Sequence, residues 1–326
     1  MKLATLKDGS RDGQLAVVSR DLSSAHFATG MATRMQQLLD DWNYISPQLE
    51  DLYATLNGGK ARHAFAFDPS RCMAPLPRAY QWADGSAYAN HSELLCRASG
   101  VALPETFRTD PLMYQGGSDD FLGACDDARF ADEAWGIDFE GELAVITGDV
   151  PMGASAEQGL ESVRLLMLVN DWTLRHLVPP ELAKAFGLLQ SKPATAFSPV
   201  AATPDELGEA WAGGRVHLAL RSVWNGQQFG LCEAGPKMTF HFGQLIAHLA
   251  KTRRVRAGSI IGSGTVSSGE GGHHCIAEKR ALEIIESGAA STEYMKFGDS
   301  IRIEMVGRNG QSIFGAIDQR MVLAAT

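Results

Sequence analysis

The stretch Phe139-Glu140-Gly141-Glu142-Leu143-Ala144-Val145-Ile146 decides how the middle of this chain folds. Its alternation predicts a β-strand over 139–147. Successive side chains of a strand point to opposite faces, so Glu140 and Glu142 share one face. Leu143 and Val145 occupy the other face, which we expect to pack against a core.

The two glutamates are the first sign of chemistry. Residues at i and i+2 of a strand are about 7 Å apart, and two carboxylates on one face repel each other unless a positive charge lies between them. A hard cation with oxygen ligands, Mg²⁺ or Ca²⁺, removes the conflict. For this stretch alone, a solvent-exposed strand face is the favoured alternative.

Apolar patterns on either side of this stretch predict the other elements. They predict short strands over 2–20, a helical region over 32–56 that Pro47 breaks in two, a buried helix over 161–174 and a helix over 240–253. Asn225-Gly226 and Asn309-Gly310 follow strand patterns and predict two hairpins.

The Pro-rich segment 73–77 divides the chain into two parts. We predict a small N-terminal α/β domain over 1–77 and a main domain over 78–326. Strand patterns dominate the main domain, so the predicted fold class is mainly β with α (α+β).

Composition restricts the class of protein. With 326 residues, 45% of them apolar, the chain can bury a core without disulfides or structural metal. The net charge of −9 and the lack of a long basic tract argue against nucleic-acid binding. No uncharged apolar run is long enough for a bilayer. Five cysteines, an odd number without a C-x-x-C pair, indicate a reducing compartment. We therefore expect a cytoplasmic protein.

Two further segments carry residues suited to chemistry. Asp171 follows an apolar run, which favours burial of its carboxylate. Asp171 and Arg175 are spaced i, i+4, so on a helix they would form an intrahelical ion pair. Alternatively, Asp171 is a metal ligand and Arg175 faces an anionic substrate. His91 lies near Asp84 and Tyr88 in a glycine-containing segment, where sites often lie, although a lone histidine is more often structural.

The glycine-rich segment 262–272 lacks the Gly-Lys-Ser/Thr ending of a phosphate-binding loop, so it supports nucleotide binding only weakly. It is either a flexible turn or a backbone that approaches a ligand closely, with Glu278 soon after it. The adjacent His273 and His274 point opposite ways on extended backbone, which favours loop residues over a metal site.

Taken in order, these segments resemble the fumarylacetoacetate hydrolase family in its shorter bacterial form. The resemblance runs from about Ala79 to the C-terminus and extends to the N-terminal domain. Each matching segment is weak alone, but the ordered set is specific. The segments are Asp84…Tyr88…His91, Asp110-Pro111-Leu112-Met113-Tyr114-Gln115-Gly116, Phe139-Glu140-Gly141-Glu142, Asn170-Asp171-Trp172-Thr173-Leu174-Arg175, Ser191-Lys192-Pro193, Gly264-Thr265-Val266-Ser267 and Glu278-Lys279-Arg280.

The resemblance implies a rolled β-structure for the main domain and a homodimer. It implies that Mg²⁺ or Ca²⁺, with Mn²⁺ as a further candidate, is held by four carboxylates, Asp84, Glu140, Glu142 and Asp171. It implies that His91, oriented by Glu278, activates a water and that Lys192 stabilises or protonates the leaving carbanion. The residues implied to line the substrate are Tyr88, Tyr114, Arg175 and Thr265.

The implied activity is hydrolysis of a carbon–carbon bond in a 1,3-diketo acid, such as fumarylacetoacetate in tyrosine degradation or an acylpyruvate. Val178 stands where well-known fumarylacetoacetases carry a glutamine that contacts substrate, and Arg97 does not match the spacing of their carboxylate-binding arginine. The substrate therefore stays open. Alternatives are a 2-hydroxy-dienoate isomerase or decarboxylase, an oxaloacetate decarboxylase, or, outside the family's chemistry, a non-catalytic metal-dependent binding protein.

Overall fold

The computed structural model describes residues 1–324, in which β-strands outnumber α-helices. The strands are β1 (Lys2–Leu6), β2 (Gln14–Val18), β3 (Ser24–Phe27), β4 (Phe65–Ala66), β5 (Gln81–Gly85), β6 (Met113–Gly116), β7 (Ala128–Phe130), β8 (Ile137–Asp138), β9 (Gly141–Thr147), β10 (Val163–Asn170), β11 (Thr173–Leu174), β12 (Ala196–Phe197), β13 (Ala201–Ala202), β14 (Trp211–Ala212), β15 (Arg215–Val216), β16 (Ala219–Trp224), β17 (Gln227–Glu233), β18 (Ser259–Gly262), β19 (Ser300–Val306) and β20 (Ser312–Leu323). The helices are α1 (Met35–Asp40), α2 (Trp42–Asn57), α3 (Ala89–Ser99), α4 (Ala156–Glu161), α5 (Val178–Leu182), α6 (Phe242–Ala250) and α7 (Ile276–Ser287).

Two sheets contain most of these strands. The larger has the order β4-β3-β2-β1-β13-β10-β9-β18-β5-β6, with β12 also paired to β10, and the smaller has the order β17-β16-β19-β20-β7. Because β1 pairs with β13, the strands before the Pro-rich segment extend the sheet of the strands after it. The predicted fold class, mainly β with α, is confirmed.

Strand β9 lies at the centre of the molecule and is buried along its whole length. Leu143 and Val145 belong to the core shared with the second sheet, whereas Ala144 and Ile146 belong to the core shared with α1 and α2. Glu142 is fully buried between these cores. The solvent-exposed alternative for its strand face is therefore wrong.

The buried helix predicted over 161–174 is wrong, because this segment forms β10. Its neighbours β9 and β13 pair along it, and residues 165–170 are fully buried. A strand covered on both faces shows a continuous apolar run instead of an alternation, so its pattern is the same as that of a buried helix.

The first predicted helical region is broken at Asp41, between α1 and α2, and not at Pro47, which lies inside α2. Pro47 removes one helical hydrogen bond, in the second turn of α2, and the helix continues through it. The predicted helix over 240–253 is confirmed as α6, and both predicted hairpins are confirmed as β16–β17 and β19–β20. Within residues 1–324, no helix is long and apolar enough to cross a membrane.

Candidate metal centre and active site

A cavity of about 400 Å³ lies at one end of the strands β5, β9 and β10. β18 pairs with both β5 and β9, and β9 pairs with β10, so these strands are neighbours in one sheet. The sheet thereby brings together Asp84 from β5, Glu142 from β9 and Asp171, which directly follows β10. We call these three residues the carboxylate cluster.

The carboxylate cluster is buried and carries more negative charge than its surroundings compensate. One oxygen from each of Asp84, Glu142 and Asp171 lies within 4.8 Å of the others. Neither carboxylate oxygen of Glu142 has a hydrogen-bond partner. Burial, together with the charges of Asp84 and Asp171, raises the pKa of Glu142 well above its usual value. Burial and Asp171 raise the pKa of Asp84 in the same direction.

This donor set fits a divalent cation. Buried polar atoms normally have partners, and a buried carboxylate without one is unfavourable. Carboxylate oxygens are the ligands of Mg²⁺, Ca²⁺ and Mn²⁺. Three of the four carboxylates predicted as ligands thus lie together. The two oxygens of Glu142, which have no hydrogen-bond partner, are suited to bind a cation.

Glu140, the fourth predicted ligand, is surrounded by positive charge instead. Its oxygens accept hydrogen bonds from Arg175 Nη2 at 2.6 Å, Lys192 Nζ at 2.7 Å and Thr173 Oγ1 at 3.1 Å. Burial alone would raise the pKa of Glu140, but Arg175 and Lys192 hold it well below its usual value. Lys192 Nζ also donates to Asp171 Oδ2 at 2.6 Å.

Asp138 is a member of this network that the sequence analysis missed. It accepts a hydrogen bond from Arg175 Nε at 2.8 Å and from the backbone N–H groups of Ile276 and Ala277, the first residues of α7. The residue therefore fixes Arg175 and anchors the start of α7. The same-face alternation that selected Glu140 and Glu142 also includes 138, so the signal was present.

His91 and Glu278 form a hydrogen-bonded pair at the cavity. His91 lies on α3 and lines the cavity, Glu278 lies buried on α7, and 2.9 Å separates His91 Nδ1 from Glu278 Oε1. Burial alone would raise the pKa of Glu278, but hydrogen bonds with His273 and His91 lower it to about 2. An ionised Glu278 fixes the proton of His91 on Nδ1 and leaves Nε2 free to accept one.

The adjacent histidines have separate surroundings, as the sequence analysis expected. His273 Nδ1 lies 3.4 Å from the second oxygen of Glu278. His274 is fully buried between Ser222 Oγ, at 2.8 Å, and Cys232 Sγ, at 3.2 Å. Burial lowers the pKa of His274 to about 4, so its ring is neutral.

The residues predicted to line the substrate divide into two groups. Tyr114, Arg175 and Thr265 line the cavity, and the Tyr114 hydroxyl donates to Asp171 Oδ2 at 2.6 Å. Tyr88 does not line it, because its ring is buried in the core and its hydroxyl donates to the Ala234 carbonyl at 2.9 Å. Tyr88 therefore supports the fold beside the cavity instead of facing a ligand.

Glu181 is a second residue that the sequence analysis missed. Its carboxylate accepts the backbone N–H groups of Leu189, Gln190 and Ser191 and the Ser191 hydroxyl. These bonds shape the segment that leads directly into Lys192. Although burial acts in the opposite direction, they lower the pKa of Glu181 to about 2.

The glycine-rich segment approaches the carboxylate cluster closely. A Cβ atom on Gly262 would overlap Asp84 Oδ1, and one on Gly264, whose φ is +73°, would overlap the Gly85 carbonyl. The Gly264 N–H donates to Asp84 Oδ1 at 3.0 Å. The structure thus shows that this segment packs closely against Asp84 and Gly85, and its approach to a bound ligand stays a prediction.

The mouth of the cavity is apolar. Leu112, Met113, Val178, Leu182 and Leu188 line it, and the side chains of Leu112 and Leu182 are 47% and 57% exposed. Arg175 and Lys192 are the cationic residues, histidine aside, that line the cavity, and both lie at its floor among the carboxylates. The cavity therefore has a charged floor and an apolar entrance.

Family models match almost the whole chain. Residues 81–322 match the model described as Fumarylacetoacetate (FAA) hydrolase C-terminal, and residues 1–78 match the one described as Fumarylacetoacetase N-terminal domain 2. The chain belongs to the fumarylacetoacetate hydrolase family. The resemblance inferred from the ordered motifs is confirmed. None of the curated protein sequences matches the chain.

Solved structures of this family share the fold over their full length. A maleylpyruvate hydrolase from Sphingobium sp. SYK-6, in complex with manganese (II) ion and pyruvate, has 16% identity and a TM-score of 0.67, with 100% of both chains covered. A fumarylacetoacetate hydrolase from Exiguobacterium antarcticum has 16% identity and a TM-score of 0.68, covering 99% of this chain and 100% of its own. A 5-carboxymethyl-2-hydroxymuconate delta-isomerase from Mycobacterium smegmatis has 16% identity and a TM-score of 0.62, with 100% of both covered. At these identities the likeness concerns the fold, and the family contains both hydrolases and isomerases.

Proposed function

We propose that this protein is a divalent-metal-dependent hydrolase that cleaves the carbon–carbon bond of a 1,3-diketo acid. One observation carries the proposal: the His91–Glu278 pair opens onto the same cavity as the carboxylate cluster. The pair supplies a base for water, and the cluster supplies carboxylate ligands that would hold a divalent cation beside the substrate. Asp84, Glu142 and Asp171 would hold this cation, and Glu140 stays a predicted fourth ligand.

His91 acts as the general base in this proposal. With its Nδ1 proton donated to Glu278, His91 takes a proton from water through Nε2, and the water oxygen adds to the distal carbonyl carbon of the substrate. The bond between that carbon and the central CH₂ then breaks, and its electron pair forms the pyruvate enolate. The proton that His91 took from water is returned to the CH₂ carbon and completes pyruvate, and the acyl part leaves as a carboxylic acid.

The charged floor stabilises the enolate. When bound, the divalent cation supplies a Lewis acid for the developing negative charge. Lys192 stays protonated, because Asp171 and Glu140 raise its pKa although burial alone would lower it. Its ammonium group is fixed by three hydrogen bonds, so it provides positive charge beside the substrate without reorganisation.

The apolar mouth favours one substrate class within this reaction. A dicarboxylate substrate carries a second carboxylate, and among the residues at the mouth there is no cation to bind it. Val178, Leu182 and Leu188 instead suit an apolar acyl group. We therefore propose acylpyruvates with an alkyl or aryl acyl group as better substrates than fumarylacetoacetate.

The His91–Glu278 pair also favours hydrolysis over the decarboxylase alternative. Decarboxylation needs stabilisation of an enolate but no activated water, so it gives no role to the base. An isomerase uses a base but consumes no water. The three reactions therefore differ in products: two acids, one acid and CO₂, or an isomer of the substrate.

The test is an ultraviolet assay of diketone absorbance with metal-stripped protein, with and without Mg²⁺ or Mn²⁺. We expect loss of absorbance only with metal, release of pyruvate and an equal amount of the second acid, and faster turnover of pentanoylpyruvate than of fumarylacetoacetate. His91→Ala should reduce kcat by about 100-fold or more, while the control His63→Ala, at an exposed histidine outside the cavity lining, keeps it. CO₂ release from oxaloacetate, with no diketone consumed, would contradict the proposal in favour of decarboxylation.

A further inference from the structure

A second group of ligand-type side chains lies beside the carboxylate cluster and contains a thiol. A ring nitrogen of His91, the sulfur of Cys275 and a carboxylate oxygen of Glu278 lie within 4.8 Å of one another. Cys275 is the N-cap residue of α7 and is fully buried, Glu278 follows in the first turn, and His91 projects from α3. Three side chains with different ligand atoms thus meet between two helices, and one of them, His91, lines the cavity.

We propose that His91, Cys275 and Glu278 form an inhibitory site for a thiophilic divalent cation, with Zn²⁺ as the fitting ion. Thiolate sulfur, imidazole nitrogen and carboxylate oxygen are the three ligand types that zinc takes in proteins. Three protein ligands leave the fourth tetrahedral position for a water or another small ligand. Neither the family assignment nor the proposed hydrolysis gives Cys275 a role.

The geometry requires only small adjustments of side chains. Zinc bonds of about 2.0–2.3 Å place tetrahedral ligand atoms about 3.5 Å apart. The three ligand atoms now lie within 4.8 Å of one another, and His91 Nδ1 and Glu278 Oε1 are 2.9 Å apart, so the required spacing falls between these values. Cys275 and Glu278 are three residues apart at the start of α7, and Asp138 fixes that end by accepting the N–H groups of Ile276 and Ala277. We therefore expect side-chain adjustment of His91 and Glu278 to be sufficient to form the site.

The surrounding charge favours a bound cation. Three buried carboxylates, those of Asp84, Glu140 and Glu142, line the cavity with the cations Arg175 and Lys192, and two more, Asp138 and Asp171, lie behind them in contact with these cations. Arg175 is already paired with Asp138 and Glu140. Coordination transfers the thiol proton of Cys275 to solvent, and the resulting thiolate and the Glu278 carboxylate balance the two positive charges of the ion.

The two metal sites differ in the softness of their ligands. The carboxylate cluster offers oxygen alone, which suits Mg²⁺ and Ca²⁺, whereas the second site offers sulfur and nitrogen, which suit Zn²⁺ and Co²⁺. Saturating Mg²⁺ therefore fills the first site and leaves the second free. A thiophilic ion in the second site takes the lone pair of His91 and the charge of Glu278, and so removes the base that activates water.

Cobalt tests this site without any assay of activity, because a thiolate ligand gives Co²⁺ a charge-transfer band in the near ultraviolet that oxygen ligands do not give. In the presence of saturating Mg²⁺, we expect the band to saturate at one Co²⁺ per wild-type chain and to disappear on addition of Zn²⁺. Cys275→Ser should abolish the band. The control Cys125→Ser, which changes a half-buried cysteine outside the cavity lining, should keep it.

His91→Ala keeps the thiol and tests the second ligand. We expect it to weaken cobalt binding by at least about 10-fold, which also covers the case in which Cys275→Ser fails to fold. A band that persists in folded Cys275→Ser, or wild-type protein that binds Co²⁺ without a thiolate band, would overturn the proposal. If diketo-acid hydrolysis is observed, Zn²⁺ should inhibit the Mg²⁺-loaded wild type at least 10-fold more strongly than Cys275→Ser. Because the band needs no turnover, its result is separate from that of the proposed hydrolysis.

Discussion

Glu140 and Glu142 are two residues apart in the chain, yet the protein surrounds them in opposite ways. Glu140 accepts hydrogen bonds from Arg175, Lys192 and Thr173, and its pKa is held well below the usual value. Glu142 has no hydrogen-bond partner for either oxygen, and its pKa is raised well above the usual value. Both side chains are buried.

The two residues differ in the source of their compensating positive charge. Side chains of the protein supply it for Glu140, and we expect a bound cation to supply it for Glu142. The cations that neutralise Glu140 are part of the chain, so its contribution to stability is present without metal. Glu142 lies beside two further carboxylates, and its burial is unfavourable until a cation joins them. The contrast leads us to expect that Glu142 depends on a bound cation more than Glu140 does, and the predictions that follow can be ranked by size.

The largest expected effect is on stability. In metal-stripped protein, Glu140→Gln should lower the free energy of unfolding by about 3 kcal/mol, because removal of one partner leaves buried charge uncompensated. The matched variant Glu142→Gln should not lower it, because no group of the protein loses a partner. Denaturant unfolding of the two variants checks this. Equal destabilisation of both would remove the contrast between the two residues.

The next effect concerns the base. Glu278→Gln should reduce kcat for diketo-acid hydrolysis by about 100-fold with a smaller change in KM, because His91 loses the carboxylate that fixes its tautomer. Steady-state kinetics at saturating metal measure both constants. An unchanged kcat would mean that His91 needs no such partner.

A smaller effect is expected on metal affinity when Asp171 is changed. Asp171 already accepts hydrogen bonds from Lys192, Tyr114 and Thr195, so Asp171→Asn removes a charge but keeps much of the local structure. We expect the affinity for Mn²⁺ to fall by at least about 10-fold, equal to about 1.4 kcal/mol. Unchanged binding by calorimetry would remove Asp171 from the ligand set.

The smallest effect is a pH dependence that involves neither cation nor metal. Glu181 is stabilised as a carboxylate by backbone and hydroxyl donors, and its pKa falls from 4.5 to about 2. An acid whose pKa is lowered on folding stabilises the protein above its unfolded pKa and loses that contribution as pH falls through the folded value. The stability difference between wild type and Glu181→Gln should therefore shrink between pH 4.5 and 2. A difference that is constant over this range would contradict the assignment.

The strand was predicted over 139–147 and begins at Gly141, yet its periodicity was sufficient to bring Glu140 and Glu142 to one cavity. The apolar run before Asp171 was sufficient to indicate its burial. Both inferences use local spacing, which the sequence contains. The ordered motifs identified the family and, through it, the fold class. Neither source could show that Glu140 and Glu142 have opposite surroundings, because this depends on Arg175 and Lys192, which lie far along the chain.

The incorrect and missed assignments also depend on how each residue is surrounded in the folded protein. The segment 161–174 was taken as a helix because a strand buried on both faces shows no alternation. Tyr88 matched a motif by spacing, and the sequence could not show that its ring packs into the core and that its hydroxyl donates to the Ala234 carbonyl. Its contact with the substrate stays a prediction. Glu181 was missed because most of its partners are backbone N–H groups, which have no signature in the sequence. Asp138 was missed although the alternation that selected Glu140 and Glu142 extends to it.

The most direct test of the contrast is a calorimetric titration of Mn²⁺ into metal-stripped wild-type protein and Glu142→Gln. We predict one Mn²⁺ per chain in the wild type and an affinity at least about 100-fold lower in the variant, equal to about 2.7 kcal/mol, with both proteins folded. Wild-type affinity in Glu142→Gln would show that the unpartnered carboxylate is not a ligand and would contradict the proposed metal site at Asp84, Glu142 and Asp171.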